Sequence, residues 1–291
     1  QGLLDRQIEY LPSDAEIADR KARGIGLTRP ELSVLLSYSK LVAFDQLLQS
    51  DVPEDPYLSK ELQRYFPEPL QKKYAQAMEH HRLKREIIAT AVTNTMINRM
   101  GATFLLRMQE DSGRSIGDVA KAFTITRETL EARALWVDID ALDGKVPESA
   151  QIDALQVIWN LQRSFTRWLL SRPGAIPDIT TAVGRYHDGF RDIRAGENIL
   201  PDSQRPEYEA SLADWLAKGV PPELAGQLAA LPYLEACCDI IELATERKLR
   251  PVEVAKLHFR VGEALRVPWL TQQIDALAVD EIGRASCRER V

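Results

Sequence analysis

Along almost the whole chain, apolar residues recur at spacings of three and four, and no stretch sustains the period-two alternation of a half-buried strand. Ser13-Asp-Ala-Glu16 reads as a capping box, in which the serine and glutamate side chains each satisfy an unpaired N–H. It starts a helix that ends at Gly24 or Gly26. Thr28-Arg-Pro-Glu31 is a second box, with Pro30 in the first turn, where a missing N–H costs nothing. The helix behind it carries Leu32, Leu35, Leu36, Ser39, Val42, Ala43 and Leu47 on one face and runs to about Ser50. A short helix follows from Ser59 to Tyr65. Pro67-Glu-Pro69 then opens a long one, from Leu70 to about Gln109, with no proline and only Gly101 inside it. Its broad apolar second half, from Ile87 to Leu106, places it at the centre of the core.

Ser115-Ile-Gly-Asp118 caps a helix to about Phe123, and Thr126 caps another to about Trp136. Pro147-Glu148 starts a helix through Trp159, Phe165 and Trp168 to Ser171. Beyond the break at Pro173-Gly174 and Pro177, helices are expected at about 178–195, 206–218, 222–248, 251–265 and 268–280. The pattern therefore predicts an all-α fold, a multi-helical bundle around one very long central helix.

A gapless internal repeat aligns Asp118–Leu130 with Glu253–Leu265. Val-Ala-Lys, the later Glu and the final Leu coincide, a Trp follows each copy (Trp136, Trp269), and Asp-Ala-Leu recurs at 140–142 and 275–277. Two related helical units are expected, 1–172 and 173–281. Residues 282–291 carry three arginines, break the helical pattern and resemble translated cloning-vector sequence, so they are set aside. The chain opens in mid-pattern without a methionine, which reads as a piece of a longer polypeptide.

Charge and composition narrow the function classes. With 43 acidic and 37 basic residues the formal charge is −6, which argues against a general nucleic-acid binder. Glycine is scarce, 15 residues with no Gly-Gly pair, so a phosphate-cradling loop finds little material. Gly24-Ile-Gly26 could begin a dinucleotide fingerprint, but the third position is Arg29 and no strand precedes it. Three cysteines, Cys237, Cys238 and Cys287, form no disulfide framework and read as reduced and cytoplasmic. No apolar run approaches the ~20 residues of a membrane span, so no membrane partner is expected.

The remaining chemistry-bearing residues have simpler explanations. His80, His81, His187 and His258 lack metal-ligand spacing. No Gly-x-Ser-x-Gly is present, and acidic pairs such as Glu61 and Glu68, or Asp138 and Asp140, read as solvated helix surface. Asp118–Trp136 has the outline of a helix-turn-helix, but its second helix sets Glu128 and Glu131 against Arg127 and Arg133, which offsets attraction to phosphates. Arg163, Arg167 and Arg172 alternate with Phe165 and Trp168. The expected arrangement has the aromatics facing the core while the arginines snorkel or pair with carboxylates. No catalytic, cofactor-binding or metal-binding residue is nominated.

One segment is specific. Gly24-Ile-Gly-Leu-Thr-Arg-Pro-Glu-Leu-Ser-Val-Leu-Leu-Ser-Tyr-Ser-Lys40 resembles the corresponding segment of the large bacterial NAD-specific glutamate dehydrogenases. Support continues through Tyr65-Phe-Pro67, the stretch from Arg85 to Gly101, Leu135-Trp136 and Trp269–Ile274, so the resemblance covers roughly residues 1–281. It implies a parent enzyme that oxidises L-glutamate with NAD to 2-oxoglutarate and ammonia. The catalytic and cofactor elements of that family precede the Leu-Thr-Arg-Pro-Glu segment. The chain is then the C-terminal helical part, binding no NAD itself. Its implied partners are the catalytic region of the same polypeptide and further copies in a homo-oligomer. A helix-turn-helix DNA binder and a free-standing helical scaffold are the alternative readings.

Overall fold

The computed structural model describes residues 4–196 and 199–276; the tail at 282–291, Cys287 and the end of the helix expected over 268–280 lie outside them. Among the described residues there is no strand, and the all-α class holds. The helices are α1 (Asp14–Ala22), α2 (Arg29–Leu48), α3 (Lys60–Tyr65), α4 (Glu68–Lys73), α5 (Ala75–Glu79), α6 (Lys84–Met100), α7 (Ala102–Ser112), α8 (Ile116–Thr129), α9 (Ala132–Asp140), α10 (Glu148–Ser171), α11 (Ile179–Arg194), α12 (Arg205–Ala217), α13 (Pro222–Ala230), α14 (Cys237–Arg247), α15 (Pro251–Ala264) and α16 (Val267–Ala276). They group into two compact units. One holds the residues up to Trp136 with Leu155–Gly184; the other holds Val137–Ala154 with the residues from Arg185 on.

Local chemistry sets most of the helix starts. Ser13, Thr28 and Ser115 each accept a hydrogen bond from the backbone N–H of the third helical residue, and the Glu16, Glu31 and Asp118 carboxylates each accept one from the cap N–H. The long helix expected over 70–109 does not form. Its length is divided among α4, α5, α6 and α7. The first break is at Tyr74, whose φ of −123° leaves the helical region. The second follows α5, where the His81 ring accepts a hydrogen bond from the Leu83 N–H at 3.1 Å and so competes with the helical ladder. The third is Gly101, at φ 86° and ψ 160°, a conformation only glycine adopts readily. The carbonyl of Met100, exposed by that turn, accepts a hydrogen bond from Trp159 Nε1 at 2.8 Å. The longest described helix is instead α10, with 24 residues.

Two further boundaries move. Thr126 sits inside α8 rather than capping a new helix. Its hydroxyl donates to the Phe123 carbonyl and lies 3.1 Å from Thr166 Oγ1, and the turn comes later, at Glu131 with φ 51°. The helix expected over 222–248 is divided by a 3₁₀ turn, Leu231–Leu234, around Pro232, whose ring and missing N–H cannot continue an α-helix.

In the first unit α6 packs against α2, α3 and α7, with Ile88, Val92 and Met96 buried. Phe104 of α7 and Phe123 of α8 meet edge to face at 6.3 Å between centroids. In the second unit α12 packs on α13 and α14 on α15. Gly189 of α11 lets Ile241 of α14 approach to within 2.7 Å of where a Cβ would stand.

The aligned repeat segments share a backbone feature. α8 and α15 are each followed by a single left-handed, non-glycine residue, Glu131 at φ 51° and Arg266 at φ 56°, and then by another helix. Val119-Ala120 and Val254-Ala255 are buried in both, whereas Leu130 is 1% exposed and Leu265 70%.

Gly101 provides a clean test of the α6–α7 break, because a Cβ there meets nothing within 4 Å. Gly101→Ala is expected to destabilise the protein by about 1–3 kcal/mol through backbone strain alone, measured by urea unfolding. An unchanged midpoint would show that the break does not depend on glycine.

Candidate functional site

Three places concentrate polar or accessible chemistry. The first is a buried ion cluster between α3 and α8–α9. Oε1 of Glu61 accepts hydrogen bonds from three guanidinium groups: Arg64 at 3.1 Å, Arg127 at 3.0 Å, and Arg133. Glu128 Oε1 accepts from Arg127 Nε at 2.8 Å. Arg127 and Glu61 are almost wholly buried. Burial lowers the pKa of the Arg127 guanidinium, while Glu61 and Glu128 act in the opposite sense. Burial also raises the Glu128 carboxyl, but Arg127, then Arg133 and Arg64, more than reverse this and hold it below the ordinary glutamate value. Every charge in the cluster is paired within it, so its chemistry is structural.

This corrects the reading of Glu61 as solvated surface; Glu68 does stay exposed. The partners of Glu61 on α8 and α9 are 66 and 72 residues away, so no local pattern could reveal them. The cluster also removes the helix-turn-helix reading. Arg127, one of its two basic residues, is buried against Glu61, and α8 is interior along most of its length.

The second place is the elbow between α1 and α2. Gly24, at φ 66°, ends α1, and the Ile25 N–H closes the turn onto the Arg20 carbonyl at 2.8 Å. Glu31 accepts from the Thr28 N–H at 2.6 Å, and its two carboxylate oxygens both accept from Arg20 Nη1, at 3.0 and 2.9 Å. The Arg20 contact first, then the Thr28 N–H, hold the Glu31 carboxyl below the ordinary value of 4.5. These glycines do not fit a dinucleotide. Gly24 closes a helix, no strand precedes it, and the space where a Gly26 Cβ would stand is open rather than tightly approached.

The third place is an apolar groove of about 840 Å³ along α2 and α7. Leu32, Leu35 and Leu36 of α2 and Leu106 of α7 line it, and all four are exposed. The helix face expected to turn inward therefore does so only in its second half, at Ala43 and Leu47. In the second unit a smaller cavity, about 350 Å³, is lined by Ile193, Tyr208, Tyr233 and Phe259.

The other residues considered from sequence are dispersed. His80 Nδ1 lies 2.9 Å from the Gln76 carbonyl, and His258 stacks edge-on against Phe259. No group of three His, Cys, Asp or Glu side chains able to hold a metal occurs among the described residues. Cys237 and Cys238 are buried and free, and burial raises the Cys237 thiol well above its usual value. Phe165 is in the core. Arg163 lies over the Trp159 ring and Arg172 over the Trp168 ring, and Arg167 pairs with Asp111 at 2.6 Å. None of these residues converges on a common centre.

With that geometry in hand, comparison with known proteins gives one consistent outcome. A family described as "Glutamate dehydrogenase, C-terminal" matches residues 24–291. A protein of Halomonas elongata named NAD-specific glutamate dehydrogenase is 36% identical over 291 residues, 99% of this chain and 18% of its own length. Proteins of the same name from Pseudomonas aeruginosa and Mycobacterium tuberculosis are 39% identical over 99% of the chain and 28% identical over 94% of it. The chain spans less than a fifth of the length of these relatives.

Breaking the buried cluster should be costly. Glu61→Ala removes one of the two carboxylates that compensate the buried Arg127, leaving Glu128 alone, with an expected loss of up to about 3–5 kcal/mol, whereas Glu68→Ala should stay within about 0.5 kcal/mol; urea unfolding measures both. Acid should also weaken the fold. The folded-state pKa values of Glu31 and Glu128 lie below the ordinary 4.5, so their stabilisation is complete above that pH and is lost as pH falls through the lower folded values. An acid titration followed by circular dichroism should show this loss, and Glu128→Gln should flatten it. A wild-type-like acid limb in the variant would exclude Glu128 as its source.

Proposed function

The chain belongs to the glutamate dehydrogenase C-terminal family, and on that premise we propose that it is the C-terminal helical part of an NAD-specific glutamate dehydrogenase. The parent enzyme converts L-glutamate, NAD and water to 2-oxoglutarate, ammonia and NADH. The observation that carries the reading is the end-to-end likeness to relatives bearing that name, together with the small share of their length the chain represents.

The chain's own part is structural. It supplies no catalytic residue, holds no NAD, buttresses the catalytic region of the same polypeptide and contributes contacts to a homo-oligomer. The elbow at Thr28–Glu31 supports this, because Thr28, Pro30 and Glu31 are engaged in capping and in the Arg20 pair rather than presented to a ligand. The free, buried cysteines fit a reduced, cytoplasmic setting.

The whole polypeptide should reduce NAD when given L-glutamate, followed by NADH absorbance. The 291-residue chain alone should not, and calorimetry should detect no NAD binding to it. Binding in the micromolar range, about −8 kcal/mol, would overturn the view that the cofactor site lies elsewhere.

A further inference from the structure

The first half of α2 has the composition of an interior helix and the exposure of a surface one. Leu32 is 52% exposed, Leu35 38%, Leu36 39%, and Leu106 across the groove 55%. Contiguous aliphatic surface of this kind marks an interaction site. Several polar side chains on α2 are already engaged. Ser33, Ser37 and Ser39 each donate to the carbonyl four residues back, at 2.9, 2.9 and 2.7 Å, and Tyr38 donates to Glu9 at 2.7 Å. A partner can cover these four hydroxyls without leaving a donor unpaired, which lowers the polar penalty of burial at α2. The one charged side chain on the groove, Arg6, is already paired with Asp14 at 2.5 Å.

We propose that this groove seats an apolar segment of the parent polypeptide that precedes the chain. The inference rests on the reading that the chain is the C-terminal part of a longer enzyme. Two observations select that occupant. More than four-fifths of the relatives' length lies outside the chain, and the matching family is a C-terminal one, so the outside part lies upstream. The polypeptide also enters the structure at the groove itself, where Leu4 is among the lining residues. A segment arriving there needs no long connection to reach Leu32, Leu35 and Leu36. The elbow fixed by Arg20 and Glu31 then sets the direction in which α2 leaves the contact.

The test uses the full-length polypeptide. Leu36→Cys and Leu106→Cys replace exposed side chains and leave the core untouched. Their reaction with a photoactivatable maleimide, read by peptide mass spectrometry, should be about tenfold or more slower than that of Asp202→Cys in the same polypeptide, because a packed contact excludes reagent and water. After limited labelling and illumination, crosslinks should run to peptides upstream of residue 1. Equal reaction rates at all three positions would overturn the proposal, as would crosslinks to residues 29–48 or 102–112 of a second copy. Glutamate-dependent NADH formation, measured alongside, separates the two readings. Activity with an unprotected groove sinks the docking surface alone, and a protected, upstream-crosslinked groove without activity sinks the enzyme reading alone.

Discussion

Burying a charge obliges a fold to surround it with partners of opposite sign. The guanidinium of Arg127 imposes that obligation on the first unit. Its position inside α8 is tolerable only because Glu61 of α3 and Glu128 of α8 itself reach it. Glu61 in turn collects Arg64 and Arg133, so α3, α8 and the start of α9 are held in one register by a single carboxylate oxygen. A slip of any of these elements by one residue would break the contacts of Glu61 with Arg127 or Arg133 and leave each buried charge with fewer partners. Apolar packing alone sets no such condition, since hydrophobic contacts are non-directional and tolerate repacking. The aromatic pair Phe104–Phe123 and the Thr126–Thr166 contact lie on the same α8, so the cluster also fixes where α7 and α10 meet it.

The internal repeat shows what happens without that obligation. In the alignment Arg127 corresponds to Gly262 and Arg133 to Pro268, so the buried pairing has no counterpart in the second copy. The backbone device survives, a left-handed residue joining two helices. The burial does not. Leu135 is 2% exposed and its counterpart Leu270 is 50% exposed. Turn geometry is a property of a few residues and is alike in the two segments. Burial depends on what lies opposite, and that has changed.

The same distinction explains which features were legible in the sequence. The capping boxes at Ser13, Thr28 and Ser115 could be read because both partners lie within one helical turn. The start and end of α10 could be read from Pro147 and the Pro173 break. The broken stretch over 70–109 could not, since Gly101 is tolerated inside many helices and only its φ of 86° reveals the turn. The burial of Glu61 was hidden for a stronger reason, its partners being distant in the chain. The motif that carries the family resemblance, Gly24–Lys40, was visible as a string of residues. Its exposed leucines were not visible as a surface, because periodicity names a face without saying whether anything covers it.

That gap between pattern and burial bears on the structural role proposed for the chain. Reacting groups must be held within fractions of an ångström, so the elements that support them have to be rigid before they dock. α2 meets this condition. Its start is pinned by Thr28 and by the Arg20–Glu31 ion pair, and its second half is buried at Ala43 and Leu47 against the core built around α6. Only the stretch between these two fixed points presents unburied aliphatic side chains. A helix anchored at both ends and bare in the middle loses little backbone entropy on association, so less of the gain from burying its apolar area is offset by the cost of ordering it. A floppy segment with the same leucines would have to be ordered first. The specificity of the Gly24–Lys40 string therefore has a physical basis that requires no chemistry at these residues: it encodes both the clamp and the surface the clamp presents.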